Sequence, residues 1–453
     1  MTYYIDPFGC AKNQVDAENM MALLDRSGWI AAEEAENADL IIVNSCGFIE
    51  SAKQESINAV LGWRKLYPEK KILLAGCLAQ RYAKDLAGLL PEADGLFGVD
   101  DLPGIVHAAD KTLRAATGPA SRTRKANPGN RPLLSLPGSA YVKISEGCDN
   151  RCAFCAIPLI RGSLKSRSIE DIAGECKTLL GRGIKELCLI GQDTGSYGRD
   201  WIGAAVNPAA SSAALPRLLE AIARLGTAPK NKFWVRILYI HPDNFPLPIL
   251  DLMEQDKRFL PYFDIPFQHG SEKILKAMGR RGNADAYLGL IKIIRRRFPD
   301  AVIRSTFLAG FPGETEDDFG LLLDFQKKAR LDWLGCFAYS REEDTPAYGM
   351  KGRVAKKTAI ERKRLIEERQ IPITEKQMDR FAGRVFDVLV DEKFDAPNPG
   401  DDGHELYLGR LPCQAPEVDG AAVILSPRPL ELGALVPCRV IARRGFDLEV
   451  RPV

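Results

Sequence analysis

Short apolar runs and helical spacings alternate along the first hundred residues. Runs at 3–5, 40–43 and 72–75 read as strands. Between them, 16–27 sets Met20, Leu23 and Leu24 on one face, and 50–61 does the same with Ile57, Val60 and Leu61. Strands alternating with helices predict a parallel sheet with right-handed crossovers, an α/β domain over 1–110. Residues 111–137 break the rhythm. Lys111, Arg114, Arg122, Arg124, Lys125 and Arg131 occur there without one acid, among Pro119, Pro128, Pro132 and Pro137. The stretch reads as a linker whose charge either keeps it solvated or meets an acidic partner.

From 138 the alternation resumes. Strands are expected at 141–145, 186–190, 233–238, 262–265, 302–308 and 333–338, with helices such as 215–225 and 283–298 between them. Six parallel strands with outer helices predict a partial TIM-like (β/α)6 barrel over 138–373, with active-site groups at the C-terminal strand ends. The Ala- and Ser-rich stretch 202–215 reads as a surface insertion. A last helix is expected over 356–378, interrupted near Pro372. From Thr374 to 453 short β-type runs (385–390, 421–425, 436–441, 447–450) punctuated by Gly and Pro predict a small β-barrel.

Composition narrows the class. The 453 residues are 27% charged and 45% apolar, as in ordinary globular chains. No apolar run is long enough to span a bilayer and the N-terminus lacks a signal-type apolar core, so a cytoplasmic protein is expected. A net charge of +2 argues against bulk electrostatic binding of nucleic acid.

Chemistry enters with the eleven cysteines, which in a reducing compartment are metal ligands or buried thiols before they are disulfides. Cys148, Cys152 and Cys155 form a CxxxCxxC run just after the first predicted barrel strand. Three thiolates can hold three corners of a four-iron four-sulfur cluster and leave one iron open to a substrate group. No His or fourth Cys stands beside them to complete a zinc site. Cys10, Cys46 and Cys77 each follow one of the first three predicted strands, flanked by Gly9, Gly47 and Gly76. A parallel sheet gathers such positions at one edge. They read as a second three-cysteine cluster site or as small core residues. Cys188 and Cys336 lie inside apolar strands and read as core thiols.

Two three-cysteine sets in this order resemble the methylthiotransferases of the radical S-adenosylmethionine (SAM) superfamily. The resemblance covers almost the whole chain. It is carried by Phe-Gly-Cys-Ala-Lys-Asn-Gln-Val-Asp-Ala-Glu-Asn-Met (8–20), Cys-Ala-Ile-Pro-Leu-Ile-Arg-Gly-Ser (155–163), Ile-Pro-Phe-Gln-His-Gly-Ser (265–271), Ala-Met-Gly-Arg-Arg-Gly (277–282), Gly-Phe-Pro-Gly-Glu-Thr (310–315) and Ala-Pro-Glu-Val-Asp-Gly (415–420). The terminal domain is similar to the family's TRAM domain. Asn-Ser-Cys-Gly-Phe-Ile-Glu-Ser-Ala-Lys-Gln-Glu-Ser-Ile (44–57) resembles the branch that modifies the twelfth small-subunit ribosomal protein at one aspartate. Asp6-Pro7-Phe8 and Gly-Arg-Leu-Pro-Cys-Gln (409–414) depart from the usual pattern without touching a cysteine of either set.

The resemblance implies two 4Fe-4S clusters and SAM as cofactors. The cluster on Cys148, Cys152 and Cys155 would activate SAM for hydrogen abstraction from the aspartate β-carbon. The cluster on Cys10, Cys46 and Cys77 would deliver sulfur, and a second SAM the methyl group. Candidate SAM-binding residues at strand ends are Gln192, Gln268, Gly310, Gly313 and Glu314; the turn at 310–315 reads equally as a plain loop with an N-cap at Thr315. Asp193 and His269 are neighbouring polar groups, and His269 reads equally as structural. Implied partners are the basic ribosomal protein, free or on the 30S subunit, an electron donor of flavodoxin or ferredoxin type, and a sulfur donor. From Thr374 onward 10 Lys and Arg face 14 Asp and Glu, net −4. An acidic domain suits a basic protein better than tRNA, unless the charge serves solubility alone. A tRNA methylthiotransferase of the same family, and a non-enzymatic iron–sulfur electron carrier, are the alternatives. The carrier would need a fourth ligand beside each triad.

Overall fold

The structure is a computed structural model that describes residues 1–113, 128–201, 214–226, 232–394 and 404–453. Residues 202–213 of the insertion predicted over 202–215 and the linker residues 114–127 lie outside the described residues, and Ala214 and Leu215 open the helix Ala214–Ala223. By compactness the chain divides into two units. One comprises Met1–Leu134, Glu146–Lys165 and Ser340–Tyr348; the other comprises Ser135–Ser145, Ser166–Tyr339 and Gly349–Val453.

The first unit holds a five-stranded sheet of β1 (Thr2–Pro7), β2 (Ile30–Ala31), β3 (Leu40–Ser45), β4 (Lys71–Gly76) and β5 (Gly95–Phe97), in the order β2-β1-β3-β4-β5. Every pairing is parallel. Alternate residues serve opposite faces. Leu40 and Ile42 pack with helices α1 (Ala11–Arg26) and α4 (Ile105–Leu113). Ile41 and Val43 pack with α2 (Glu50–Leu66) and α3 (Cys77–Leu89). Burial on both faces explains why these strands read as unbroken apolar runs. Helix α1 begins at Ala11, five residues before its expected start, because Ala11 and Val15 extend the buried face. Arg131, expected on a linker that is either solvated or meets an acidic partner, is fully buried against Glu18 of the same chain, Nε to Oε2 2.7 Å. The same carboxylate accepts from the Leu134 amide, so this end of the stretch is part of the fold.

The second unit holds a six-stranded all-parallel sheet: β6 (Ser139–Lys143), β7 (Glu186–Ile190), β8 (Trp234–Ile237), β9 (Phe259–Asp264), β10 (Val302–Ala309) and β11 (Trp333–Ala338). They stand in chain order and the sheet does not close, as expected for a partial barrel. The expected break near Pro372 is absent, and the helix Lys356–Asp379 runs through it. Hydrogen bonds on both sides hold it. Gln370 donates to the Leu331 carbonyl at 2.8 Å and Thr374 to that of Asp332 at 2.8 Å.

Five strands, β12 (Val385–Phe394), β13 (Glu405–Arg410), β14 (Ala422–Ser426), β15 (Leu435–Arg444) and β16 (Asp447–Pro452), close into a barrel in the order β12-β13-β14-β16-β15. The sequence patterning missed β13. Buried polar bonds fasten this barrel to the open sheet. Glu186 of β7 takes Arg236 of β8 at 2.9 Å and also Arg410 of β13, which holds Asp391 of β12 at 2.8 Å. The Tyr262 hydroxyl donates to Asp419 at 2.6 Å, and the Trp333 indole to the Cys413 carbonyl at 3.1 Å.

Candidate functional site

In the first unit β1, β3 and β4 are adjacent and parallel, so their C-terminal ends share one edge. Cys10 caps α1 after β1, Cys46 follows β3, and Cys77 opens α3 after β4. The sheet therefore gathers the three thiols from across the sequence. They lie within electrostatic reach of one another: Cys10 acts on Cys46, and both act on Cys77. The flanking glycines let backbones close in. A Cβ at Gly47 would stand 2.8 Å from the Cys77 carbonyl, and one at Gly76 2.5 Å from that of Ser45.

Asn13, 1% exposed, ties these loops together. Its Nδ2 donates to the carbonyls of Phe8 at 3.1 Å and Ser45 at 2.8 Å. Its Oδ1 accepts from the Cys77 thiol at 3.1 Å and from Arg161 Nη2 at 2.6 Å. The three sulfurs differ in charge preference. Cys10 is exposed at its surface but crowded by protein, which opposes its ionisation; Lys12, nearby backbone amides and Arg161 outweigh that and lower its pKa. Burial raises Cys46, and it pushes Cys77 up to about 12 despite Arg161.

The CxxxCxxC segment belongs to the same unit. Its loop is held by backbone bonds from Cys148 to Gly162 and from Cys155 to Cys152, at 3.1 and 3.0 Å. A Cβ at Gly147 would lie 2.1 Å from the Ser163 carbonyl. Arg151, between the cysteines, has φ +51°, a left-handed conformation that costs a non-glycine residue energy. After Cys155 comes helix α5 (Ile157–Arg161). The segment Ser340–Tyr348 braces this region. Glu342 takes Arg81 at 2.8 Å and Lys53 at 3.1 Å, and the Ala347 amide bonds the Ala153 carbonyl at 2.8 Å.

Among the described residues no three His, Cys, Asp or Glu side chains converge as a site for a single metal ion. A cubane asks for something else, with thiolates at separate corners and backbone close by. Each cysteine set, on its own loops with glycine or left-handed backbone beside it, fits that demand.

In the second unit the remaining candidates sit at or just past C-terminal strand ends: Gln192 after β7, Gln268 after β9, and Gly310, Gly313 and Glu314 after β10. Gln268 has φ +70°, and its backbone bonds Thr306 and Leu308. Gly310 is required by packing, since a Cβ there would lie 2.3 Å from that of Ala359, whereas Gly313 faces open space. Glu314 is already engaged. It accepts from the Gly310 amide at 2.8 Å and from Arg362 at 2.6 Å, with His269 Nε2 at 3.4 Å. The N-cap expected at Thr315 is present, as a capping box with Asp318. His269 Nδ1 accepts from the Ser271 amide at 2.9 Å. Asp193 accepts from the His241 amide at 3.0 Å and from Asn244 at 2.7 Å, and so builds the rim.

Sequence reasoning missed Asn13, Arg161 and Arg280. Arg280 is 6% exposed, yet its Nε and Nη1 have no hydrogen-bond partner among the described residues. Burial, then the Arg280 charge, holds His241 down to about 4. A buried cation with unmatched donors carries a desolvation cost that an anion would offset. The doubled arginine in Met-Gly-Arg-Arg-Gly was visible, but nothing in it says which one turns inward.

Residues 2–98 match the family described as Uncharacterized protein family UPF0004, 142–325 the Radical SAM superfamily, and 382–453 the TRAM domain. The chain is 47% identical to the ribosomal protein uS12 methylthiotransferase RimO of Treponema denticola, covering 98% of this chain and 99% of that protein. It is 38% identical to the RimO of Carboxydothermus hydrogenoformans, over 99% of each. Among solved structures, the radical S-adenosylmethionine methyltransferase TsrM of Kitasatospora setae is similar in fold, with a TM-score of 0.53 at 15% identity over 76% of each chain.

Proposed function

The chain belongs to the RimO family of ribosomal protein uS12 methylthiotransferases, which are radical SAM enzymes, and from that premise we propose that it converts one aspartate of uS12 to 3-methylthioaspartate using two open-site 4Fe-4S clusters. The observation that carries the reading is the gathering of Cys10, Cys46 and Cys77 at adjacent strand ends. A radical SAM enzyme that only cleaved SAM would need the CxxxCxxC set alone.

Cys148, Cys152 and Cys155 would hold the SAM-activating cluster, and Cys10, Cys46 and Cys77 the sulfur-delivering one. Together with SAM these groups supply the one-electron chemistry that acid–base side chains cannot perform at an unactivated C–H bond. Gln192, Gln268, Gly310 and Gly313 would contact SAM, and Glu314 would keep the 310–315 turn in shape through the bonds it already makes. Arg280 would donate to the SAM carboxylate, because that ligand would neutralise a charge otherwise left buried. We also retain the division into modules at 1–110, 138–373 and 374–453, which the three matched family ranges support. The net −4 charge after Thr374 favours a basic protein substrate over tRNA. An electron donor of flavodoxin or ferredoxin type and a sulfur donor complete the scheme. Among the described residues no helix is long and apolar enough to cross a membrane, and a ribosomal substrate points to the cytoplasm.

The test is an anaerobic assay of the iron-reconstituted protein with SAM, reductant and sulfide, offered uS12 and an unmodified tRNA side by side. Mass spectrometry should find the methylthio group on the uS12 aspartate. Its appearance on the tRNA alone would overturn the substrate assignment.

A further inference from the structure

We propose that Arg161 is a positioning residue that sets the electronic state of the Cys10/Cys46/Cys77 site by donating a charged hydrogen bond to the Cys77 sulfur. The inference rests on the reading that these cysteines hold a second cluster.

Arg161 closes α5, six residues after Cys155, and its side chain is 2% exposed. Its Nη1 bonds Glu146 at 2.9 Å. Its Nη2 lies 2.6 Å from Asn13 Oδ1, 2.9 Å from Asp16 Oδ2 and 3.1 Å from Cys77 Sγ. An ion pair that merely pinned α5 to α1 would need Asp16 and nothing more. Here the guanidinium also reaches a sulfur on the far side of the sheet edge. The Cys77 thiol itself donates to Asn13 Oδ1 at 3.1 Å. As an iron ligand Cys77 has no proton to give and becomes an acceptor only. Arg161 Nη2 is then the charged donor already in place for it, and Asn13 Oδ1, freed from the thiol, holds that donor in position.

Hydrogen bonds to cluster sulfurs draw off electron density and favour the reduced, more negative state. Arg161 therefore raises the midpoint potential of the N-terminal site. Because it sits in the stretch that follows Cys155, it also makes that potential depend on how the CxxxCxxC segment is seated.

The test uses the full chain carrying C148A, C152A and C155A, so that only the N-terminal set can hold iron. R161Q and R161K are added to that background. Iron and sulfide content, redox titration followed by electron paramagnetic resonance, and a melting curve are measured on each. The expected result is close to full iron loading, a midpoint shifted to more negative values in R161Q, altered resonance positions, and partial rescue in R161K. Full loading with unchanged midpoint and resonances would overturn the inference while leaving the two-cluster reading intact. Loss of iron from both variants with a native melting curve would also overturn it, because a scaffold residue prevents assembly where a tuning residue alters an assembled site. Absence of iron from the triple-alanine parent would fell the two-cluster reading itself.

Discussion

Asn13→Ala should loosen all three N-terminal cysteine loops together. The side chain makes two neutral bonds to the Phe8 and Ser45 carbonyls and accepts one charge-assisted bond from Arg161, besides a weak one from the Cys77 thiol that ties in the third loop. Roughly 1 kcal/mol for each neutral bond and about 2 for the charged one gives a loss of about 4 kcal/mol. A chain of several modules has no single unfolding free energy, so the loss should be read locally. Hydrogen–deuterium exchange on peptides spanning 8–14, 44–48 and 76–80 does so. Where exchange follows local opening, about 4 kcal/mol corresponds to acceleration on the order of a thousandfold. Peptides from the C-terminal barrel should exchange at the wild-type rate. N13D, which keeps an oxygen toward Arg161 but loses both amide donations, should accelerate the first two segments and spare the third. An acceleration below tenfold in all three segments of N13A would refute the idea that one amide stitches the strand ends.

The other expectations concern chemistry and pH. Alanine at Cys148, Cys152 or Cys155 should abolish release of 5′-deoxyadenosine, while alanine at Cys10, Cys46 or Cys77 should spare that release and stop methylthio transfer; chromatography of the nucleoside and mass spectrometry of uS12 separate the two. R280Q should weaken SAM binding about thirtyfold or more, the effect of losing a charge-assisted bond worth about 2–3 kcal/mol, with R280K intermediate, read by calorimetric titration; unchanged affinity would remove Arg280 from the SAM site. Burial lifts the Asp419 carboxyl to about 6 against Arg304 and the Tyr262 hydroxyl. Its folded pKa lies above the ordinary value of about 4, so its contribution to stability is full below about pH 4 and is lost as pH rises through 6; D419N should flatten that decline in a series of melting curves. Glu186 behaves oppositely: burial works against ionisation, yet Arg410 and Arg236 hold it down to about 2. Its contribution is full above the ordinary carboxylate range and is lost as pH falls through 2. E186Q leaves two buried arginines short of charge, at a cost of about 3–5 kcal/mol in the second unit.

Legibility followed the length scale of each signal. The strand at 186–190 was plain because its apolar run reports burial on both sheet faces, and the strand-end positions of Cys10, Cys46 and Cys77 were plain because the residue after a strand sits at its end. Strand β13 was missed because Glu405–Arg410 is short, lies among Pro, Gly and Asp, and has an interrupted apolar pattern, with Tyr407 and Gly409 inward. Pro372 misled because proline reports a missing amide and a steric clash, while the bonds that hold the helix through it come from Gln370 and Thr374 to another part of the chain.

The polar partners of the cysteines were invisible for a deeper reason. Asn13, Asp16, Cys77 and Arg161 form one buried cluster, with the partly exposed Glu146 at its margin, spread over 148 residues of sequence, as the Asn13–Arg161 separation records. Hydrophobic periodicity cannot foresee it, since each member sits at a position that patterning leaves neutral. The same contacts explain why compactness and sequence divide the chain differently. Patterning assigns 146–165 to the barrel, by its place after β6. The folded chain assigns it to the unit of residues 1–134, where Arg161 meets Asp16 and where Ala156 and Ile160 pack with Cys77. Breaking a buried ion pair by removing one partner is costly, so the Arg161–Asp16 pair holds the segment there together with that packing. The placement of the CxxxCxxC segment is therefore fixed by ion pairing as much as by the strand that precedes it.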